Sequence, residues 1–373
     1  MREVDLVIVG AGFAGLTCAQ AAAARGVSTL VLERKIDPGA NTHTTGIFVK
    51  EVADAWDVPR RYTRKIHGVR LYSPNLRYVD LVSPGYYFLA TDTPAVMRWL
   101  AGIATETGVE VRCSTSYQGA ALTNDGLQLV HHDIRCRQLV GCDGPRSRVA
   151  GDFRLGRNRQ FLTGIEAEFE GVTDLDEDRL HVFLDSGLAP GYIAWVVPGV
   201  GITQVGLAAR RPPAGRLDQF IHKLKSLFNF DHARQIGRRG GLIPCGGTVR
   251  PFATERVLLL GDAAGMVSPL TAGGIHPAMG IGRAAGVALS DYLLENGPAP
   301  QRAIRGLLPS FFYKQLMRAA FDLAPPNWIY DCVLESRILR SAAQTVFFHH
   351  RGLFSVQAWR EMVLAARTPV GKD

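Results

Sequence analysis

Apolar residues in this chain gather into short continuous runs separated by glycine-rich turns, with alternating and helical patterns between them. Val4 to Val9 is apolar apart from Asp5, the pattern of a strand buried on both faces. Gly10, Ala11 and Gly12 then predict a tight turn, and Leu16 to Arg25 is alanine-rich and helix-favouring. Val27 to Leu32 reads as a second buried strand, closing a β-turn-α-β unit within about thirty residues. A helix over Pro94 to Thr107 leads into a strand at Val109 to Cys113, and Leu139 to Cys142 is another short buried strand. Val257 to Gly261 is a further apolar run, and it ends directly on a carboxylate, Asp262.

Two blocks follow a different period. Gly68 to Leu89 is rich in Tyr, Val and turn residues, and so is Phe161 to Ala209, which adds alternating runs such as Arg179-Leu180-His181-Val182-Phe183-Leu184 and Ile202 to Ala208. Both predict antiparallel strands with one covered face, read here as one sheet inserted twice. From Pro300 onward the spacing turns helical, with a break at Pro325-Pro326. The expected organisation is a discontinuous α/β domain over 1–65, 90–155 and 250–298, a sheet domain over 66–89 and 156–249, and a helical region over 299–373.

Composition narrows the class. With 47% hydrophobic and 20% charged residues, the 373-residue chain can bury a large core. Its net charge of +8 favours anionic ligands such as phosphates, or a loose hold on anionic membranes. No basic run of five or more residues occurs, so nucleic acid is not an expected partner. The six cysteines form no CxxC pair and match no zinc spacing, which suits a reducing, cytoplasmic compartment. His349 and His350 are adjacent and poorly placed to share an ion, so no metal site is expected. No apolar stretch reaches the ~18 residues of a membrane-spanning helix, leaving peripheral membrane contact as the remaining option.

Three motifs carry the chemistry. Gly10-x-Gly12-x-x-Gly15, with Phe13 and Ala14 inside it, is followed by Glu33 eighteen residues after Gly15. Gly10 permits the turn, Gly12 lets a pyrophosphate approach a helix N-terminus, and Gly15 lets helix and strand pack closely. Glu33 can accept from ribose hydroxyls, and Arg34 beside it can meet phosphate or adenine. The second motif, Gly141 to Val149 (GCDGPRSRV), sets Asp143 and Gly144 at a strand end. It reads equally as a ligand contact or as an Asx turn. The third is Gly261 to Ile275 (GDAAGMVSPLTAGGI). A second carboxylate-plus-glycine device, so far from the first, implies a ligand longer than NAD. FAD has that length, with its ribityl hydroxyls at Asp262 and its ring against Pro269, Thr271, Gly273, Gly274 and Ile275.

Together these motifs resemble the para-hydroxybenzoate hydroxylase type of FAD-dependent oxidoreductases. The third is most similar to that of the geranylgeranyl reductase family within it. Aromatic hydroxylases usually carry histidine after GDAA and asparagine after the later glycines, where this chain has Gly265 and His276. The segment Pro190 to Pro198 is similar to the reductases' YxWxFP, matching at Trp195 and Pro198 but not at Ile193 or Val197. Thr93 stands where an arginine usually contacts the cofactor. The resemblance implies a Rossmann-like FAD-binding domain with an inserted antiparallel substrate sheet and a C-terminal helical region. It also implies reduction of carbon–carbon double bonds in an apolar, isoprenoid-like substrate contacted by Tyr192, Trp195 and Pro198. Flavin monooxygenases and halogenases share the fold and are the alternative. No second GxGxxG appears, so NAD(P)H docking transiently, or a separate electron carrier, is the expected reductant.

Candidate proton donors follow. His276 lies in the flavin loop, and it reads either as a donor or as a helix-start histidine bonded to a carbonyl. In flavoproteins of this type the loop containing His43, Thr44, Thr45 and Gly46 passes the flavin ring; His43 is a second candidate, or simply solvated. The aromatic C-terminal region, Phe311 to Phe348, reads as core. It reads alternatively as an amphipathic surface with Lys314, Arg318, Arg337 and Arg340 near lipid headgroups.

Overall fold

The computed structural model describes residues 2–211, 214–336, 343 and 346–348. The chain opens with β1 (Arg2–Val9), α1 (Phe13–Ala23) and β2 (Thr29–Leu32). Then come β3 (Ile47–Val49), α2 (Lys50–Ala55), β4 (Thr63–Ile66), β5 (Gly68–Tyr72), β6 (Tyr78–Val82) and β7 (Phe88–Thr91). α3 (Thr93–Glu106), β8 (Glu110–Arg112), β9 (Ala120–Leu122), β10 (Leu127–Leu129), β11 (Ile134–Gly141) and α4 (Arg148–Asp152) follow. Next are β12 (Phe161–Glu170), β13 (Arg179–Phe183), β14 (Ala194–Pro198), β15 (Thr203–Ala209), α5 (Arg216–Leu224) and β16 (Arg234–Pro244). The last are β17 (Val257–Leu259), α6 (Ile275–Leu294), α7 (Pro300–Ala303), α8 (Phe312–Asp322) and α9 (Asn327–Glu335).

Two compact units result. The first comprises Met1–Gly46, Asp92–Leu162 and Leu242–Met317. The second comprises Ile47–Thr91, Thr163–Gly241 and the described residues from Arg318 on. Residues 47–65, expected with the nucleotide domain, group with the sheet unit instead. The reason is pairing: β3 and β4 both bond antiparallel to β7, forming a three-stranded sheet. Nor do the C-terminal helices form a third body, since 299–317 group with the first unit and α9 with the second.

The first unit is built on a sheet of order β8-β2-β1-β11-β10-β9. β8, β2, β1 and β11 run parallel, and β17 lies parallel to the last residues of β11. Leu6, Val7, Ile8, Leu30, Val31, Leu139 and Val140 are fully buried, as strands covered on both faces require. α3 begins at Asp92, whose carboxylate accepts from Ala95 N at 3.0 Å, with Pro94 in the first turn. α1 and α6 cross in backbone contact. A Cβ on Gly282 would lie 2.6 Å from Ala14 O, and one on Gly286 2.4 Å from Cys18 O. Only glycine fits at those crossings.

The second unit is a seven-stranded sheet of order β16-β12-β15-β14-β13-β5-β6. Against the antiparallel expectation, β5 and β13 pair in parallel. Leu217, Phe220 and Leu224 of α5 pack on Phe183, Val196, Val205 and Leu207, covering one face. On the other face Val69, Leu71, Val182 and Val197 meet Ile66, Phe88, Leu334 and Phe348. His181 is fully buried and neutral. Tyr72, whose hydroxyl burial keeps protonated, donates to Nδ1 at 3.0 Å, and Nε2–H donates to the Asp176 carbonyl at 2.9 Å. Arg318, named in the alternative surface reading of this region, is 2% exposed and paired with Asp322. Arg337, Arg340, His349 and His350 lie outside the described residues. Among the described residues no helix is long and apolar enough to cross a membrane.

Two outcomes follow. Gly286→Ala lowers the urea midpoint, because the added methyl meets main chain, at about 1–3 kcal/mol. Gly280→Ala on the same helix, where a Cβ would meet nothing within 4 Å, raises it by about 0.5–1 kcal/mol. Burial lowers the His181 pKa from 6.5 to about 4. The unfolded chain therefore takes up its proton first, and stability is lost as pH falls from 6.5 toward 4. His181→Gln removes that part of the acid slope in denaturation measured across the range.

Candidate functional site

All three motifs meet at the carboxyl ends of the parallel strands of the first unit, where open α/β sheets bind ligands. β1 runs into Gly10, which holds φ +103°, a conformation for glycine. A Cβ there would lie 2.4 Å from Cys142 O, so the first motif touches the second. Leu260 N bonds to Gly141 O at 3.0 Å, joining the second to the third. Gly261 closes the triangle: its Cβ would sit 3.0 Å from that of Ala14. Gly15 performs the packing expected of it, with Gly10 O where a side chain would begin.

Two helix N-termini open here without side-chain caps. α1 is preceded by Gly12, whose Cβ position faces open space. α6 is preceded by Gly274, so the amides of Ile275 and His276 point outward from a 20-residue helix. The loop before α6 closes on itself. Ser268 N bonds to Gly273 O at 3.1 Å, and Ala272 N to Ser268 O at 2.9 Å. Gly273 N donates to Thr271 Oγ1 at 3.4 Å, and Pro269 is buried. Ala272 holds φ +53°, a conformation costing a residue with a Cβ about 1–2 kcal/mol.

The three carboxylates differ in what holds them. Buried Glu33 accepts from Ala11 N at 2.8 Å and Lys35 N at 2.9 Å, which draws it against the first turn. Arg34 next to it is exposed. Asp143 accepts from Ser147 Oγ at 2.6 Å, Arg148 N at 2.7 Å and Val149 N at 3.1 Å. Its carboxylate is thus bonded to the start of α4, as the turn reading requires, while Gly144 beside it faces open space. Asp262 has no hydrogen bond to its carboxylate among the described residues, and burial pushes its pKa up from 3.8 to about 6. Its side chain is half-buried, so the hydroxyls of a bound ligand can reach the carboxylate and donate to it.

These features fit FAD. They offer two uncapped helix N-termini for anionic or electron-rich groups, open space over Gly12, and a partnerless acceptor at Asp262. Thr44 and Thr45 are half-buried, Gly46 is buried and donates to Thr44 Oγ1 at 3.3 Å, and His43 is exposed. His276 is exposed in the first turn of α6. Burial raises the thiols of Cys18 and Cys142, the former to about 12, so neither is a ready nucleophile.

Within the second unit, Tyr192 is buried with the Arg318 guanidinium 5.8 Å from its ring centre, and Pro198 is buried at the end of β14. Trp195 is partly exposed. Its Nε1 donates to Glu166 at 2.9 Å, and its ring occupies the space over Gly206, where a Cβ would lie 2.5 Å from ring carbons. Arg239 bridges Glu166 at 2.6 Å and Glu168 at 2.9 Å. Sequence reading missed this network; its one trace is the alternation of Glu166 and Glu168 with apolar neighbours on β12.

Asp262 yields a pH signature. Its carboxyl is neutral in the ligand-free fold until pH rises past about 6, but ionises near 3.8 when unfolded. Ligand-free protein therefore loses stability as pH rises between those values. Asp262→Asn lacks that loss and is more stable than the parent at pH 7 but not at pH 3, as denaturation curves at both will show.

The FAD binding domain family matches residues 3–182. Digeranylgeranylglycerophospholipid reductase 2 of Methanopyrus kandleri is 31% identical over 316 residues, which cover 79% of this chain and 78% of the relative. Among solved structures, a geranylgeranyl bacteriochlorophyll reductase-like protein of Thermoplasma acidophilum superposes with a TM-score of 0.82 at 20% identity. That match covers 98% of this chain and 97% of its own. A flavin-dependent brominase superposes at 0.72 and 18% identity, covering 98% and 99%. The two superpositions establish the fold, and the Methanopyrus kandleri relative, similar across most of both chains, establishes the kinship. The chain belongs to the geranylgeranyl reductase family of FAD-dependent oxidoreductases.

Proposed function

We propose that this enzyme saturates carbon–carbon double bonds in the prenyl chains of a lipid, adding a hydride to one carbon and a proton to the other. The Asp262 carboxylate, without a hydrogen-bond partner among the described residues and on a turn beside two uncapped helix starts, is the observation that supports this placement of the cofactor. Kinship to a reductase named for digeranylgeranylglycerophospholipid supports the substrate class.

Bound FAD, when reduced, supplies the hydride. The chain's own residues bind and orient it. Glu33 and Arg34 would hold the ribose end, the turn over Gly12 to Gly15 the pyrophosphate, and Asp262 the ribityl chain. The loop Pro269 to Ile275, together with Thr44 to Gly46, would border the ring. His276 and His43 are the candidate proton donors, both exposed and so able to exchange with solvent. Trp195, its plane set by Glu166 and Gly206, offers an apolar surface to the prenyl chain. NAD(P)H docking transiently, or a separate carrier, would supply the electrons.

A peripheral hold on a bilayer suits such a substrate. Leu307, Phe312, Tyr313 and Leu316 are exposed in the first unit. From residue 298 to 317 the chain carries Arg302, Arg305 and Lys314 and no acidic residue.

The brominase likeness favours one rival, oxygen-dependent chemistry on the same fold. Anaerobic titration separates the two. Chemically reduced enzyme is mixed with digeranylgeranylglycerophospholipid without oxygen. Flavin reoxidation, with one H2 gained per double bond in the lipid's mass spectrum, is the expected result. Reoxidation only on admitting oxygen, with oxygen atoms or halide entering an added substrate, would overturn the reductase reading.

A further inference from the structure

One side chain outside all three motifs joins two of them. Asn158 lies in the loop between α4 and β12. Its Nδ2 donates to the Asp262 carbonyl at 2.8 Å and to the Pro145 carbonyl at 3.0 Å. A single amide thus ties the loop after β11 to the turn after β17. Only the NH2 end carries two hydrogens, so these two acceptors fix its orientation. The cost falls on the other end: Oδ1 is buried and has no hydrogen-bond partner among the described residues. A side chain present only to fill space has no reason to strand a buried acceptor.

The surrounding chain is cleared for this arrangement. Gly265 holds φ +66°, and a Cβ there would lie 2.7 Å from Asn158 Oδ1 and 2.4 Å from Gly247 O. The turn carrying Asp262 is therefore bonded through its carbonyl to the Asn158 amide, and Gly265 just after it packs against the main chain at Gly247 with no room for a side chain.

We propose that Asn158 is a positioning residue for the cofactor. By pinning the main chain of Asp262 to the second motif, it holds the carboxylate of that residue in its receptive place before FAD arrives. The inference rests on the reading that Asp262 faces bound FAD. Asn158 itself touches neither cofactor nor substrate; it acts through Asp262.

The test uses the full-length protein stripped of FAD and titrated with FAD, read by the change in flavin fluorescence. Thermal unfolding of each apoprotein reports its fold. Asn158→Asp keeps the shape but sets a carboxylate against two carbonyls, and Asn158→Ala removes the tie outright and carries the test should the first variant not fold. Each is expected to weaken FAD binding by about 10- to 100-fold. In an Asp262→Asn background the same changes should shift affinity by no more than about twofold, because both residues act through one carboxylate. Parental affinity in the Asn158 variants, beside a loss in Asp262→Asn, would overturn the inference alone. So would an Asn158 loss of equal size with and without Asp262. Parental affinity in Asp262→Asn would overturn the placement of Asp262 itself.

Discussion

Everything at the cofactor end of the first unit depends on how closely α1 and α6 approach. Gly282 and Gly286 leave nothing between the α6 backbone and the carbonyls of Ala14 and Cys18. Each glycine within a helix costs about 0.5–1 kcal/mol in chain entropy. The return is positional. Because α6 starts at Ile275, its contact with α1 sets two helix starts, separated by most of the chain, at fixed places on one sheet end. The turn bearing Asp262 is carried along with them, against Ala14. An added methyl at either crossing would shift all three together.

The three acidic residues of the site show how one chemical group serves different ends. Glu33 is held by two amides, and Asp143 by a hydroxyl and two amides. Both are settled by the protein's own donors. Asp262 is not, and its raised pKa records what burial without a donor costs. The distinction lies in the hydrogen bonds each accepts, not in residue type, and it separates two carboxylates bonded into the fold from the one proposed to take a ligand's donors.

Much of this was legible in the chain. The first β-turn-α-β unit is readable because its strands are apolar throughout and its turn is glycine. Asp262 stands out because a buried strand ends on a charge. What escaped was non-local. Nothing near Gly68 or Arg179 indicates that β5 and β13 pair in parallel. Residues 47–65 were misplaced because the strands they form are short and bond to β7, whose sequence lies well downstream. For Arg318 a core and a surface reading both stayed open, because helical spacing does not reveal that Asp322, one turn on, pairs with it in a buried place. Asn158 has no pattern around it: a loop asparagine acquires its role only when two distant carbonyls arrive within reach.

The interleaved order of segments has a further consequence, for biosynthesis. β1, α1 and β2 leave the ribosome early, yet β17 and α6, which complete the same sheet end, are translated only after the whole β12–β16 stretch. Until then the carboxyl half of β11 has an unpaired edge, and α1 exposes the small-residue face meant for α6. A chain that ends before α6 lacks the turn bearing Asp262 and the second helix start, so the sheet end described above is incomplete until residues 257–294 have been made. The elements around all three motifs therefore assemble only once the segment inserted between β11 and β17 has been spanned.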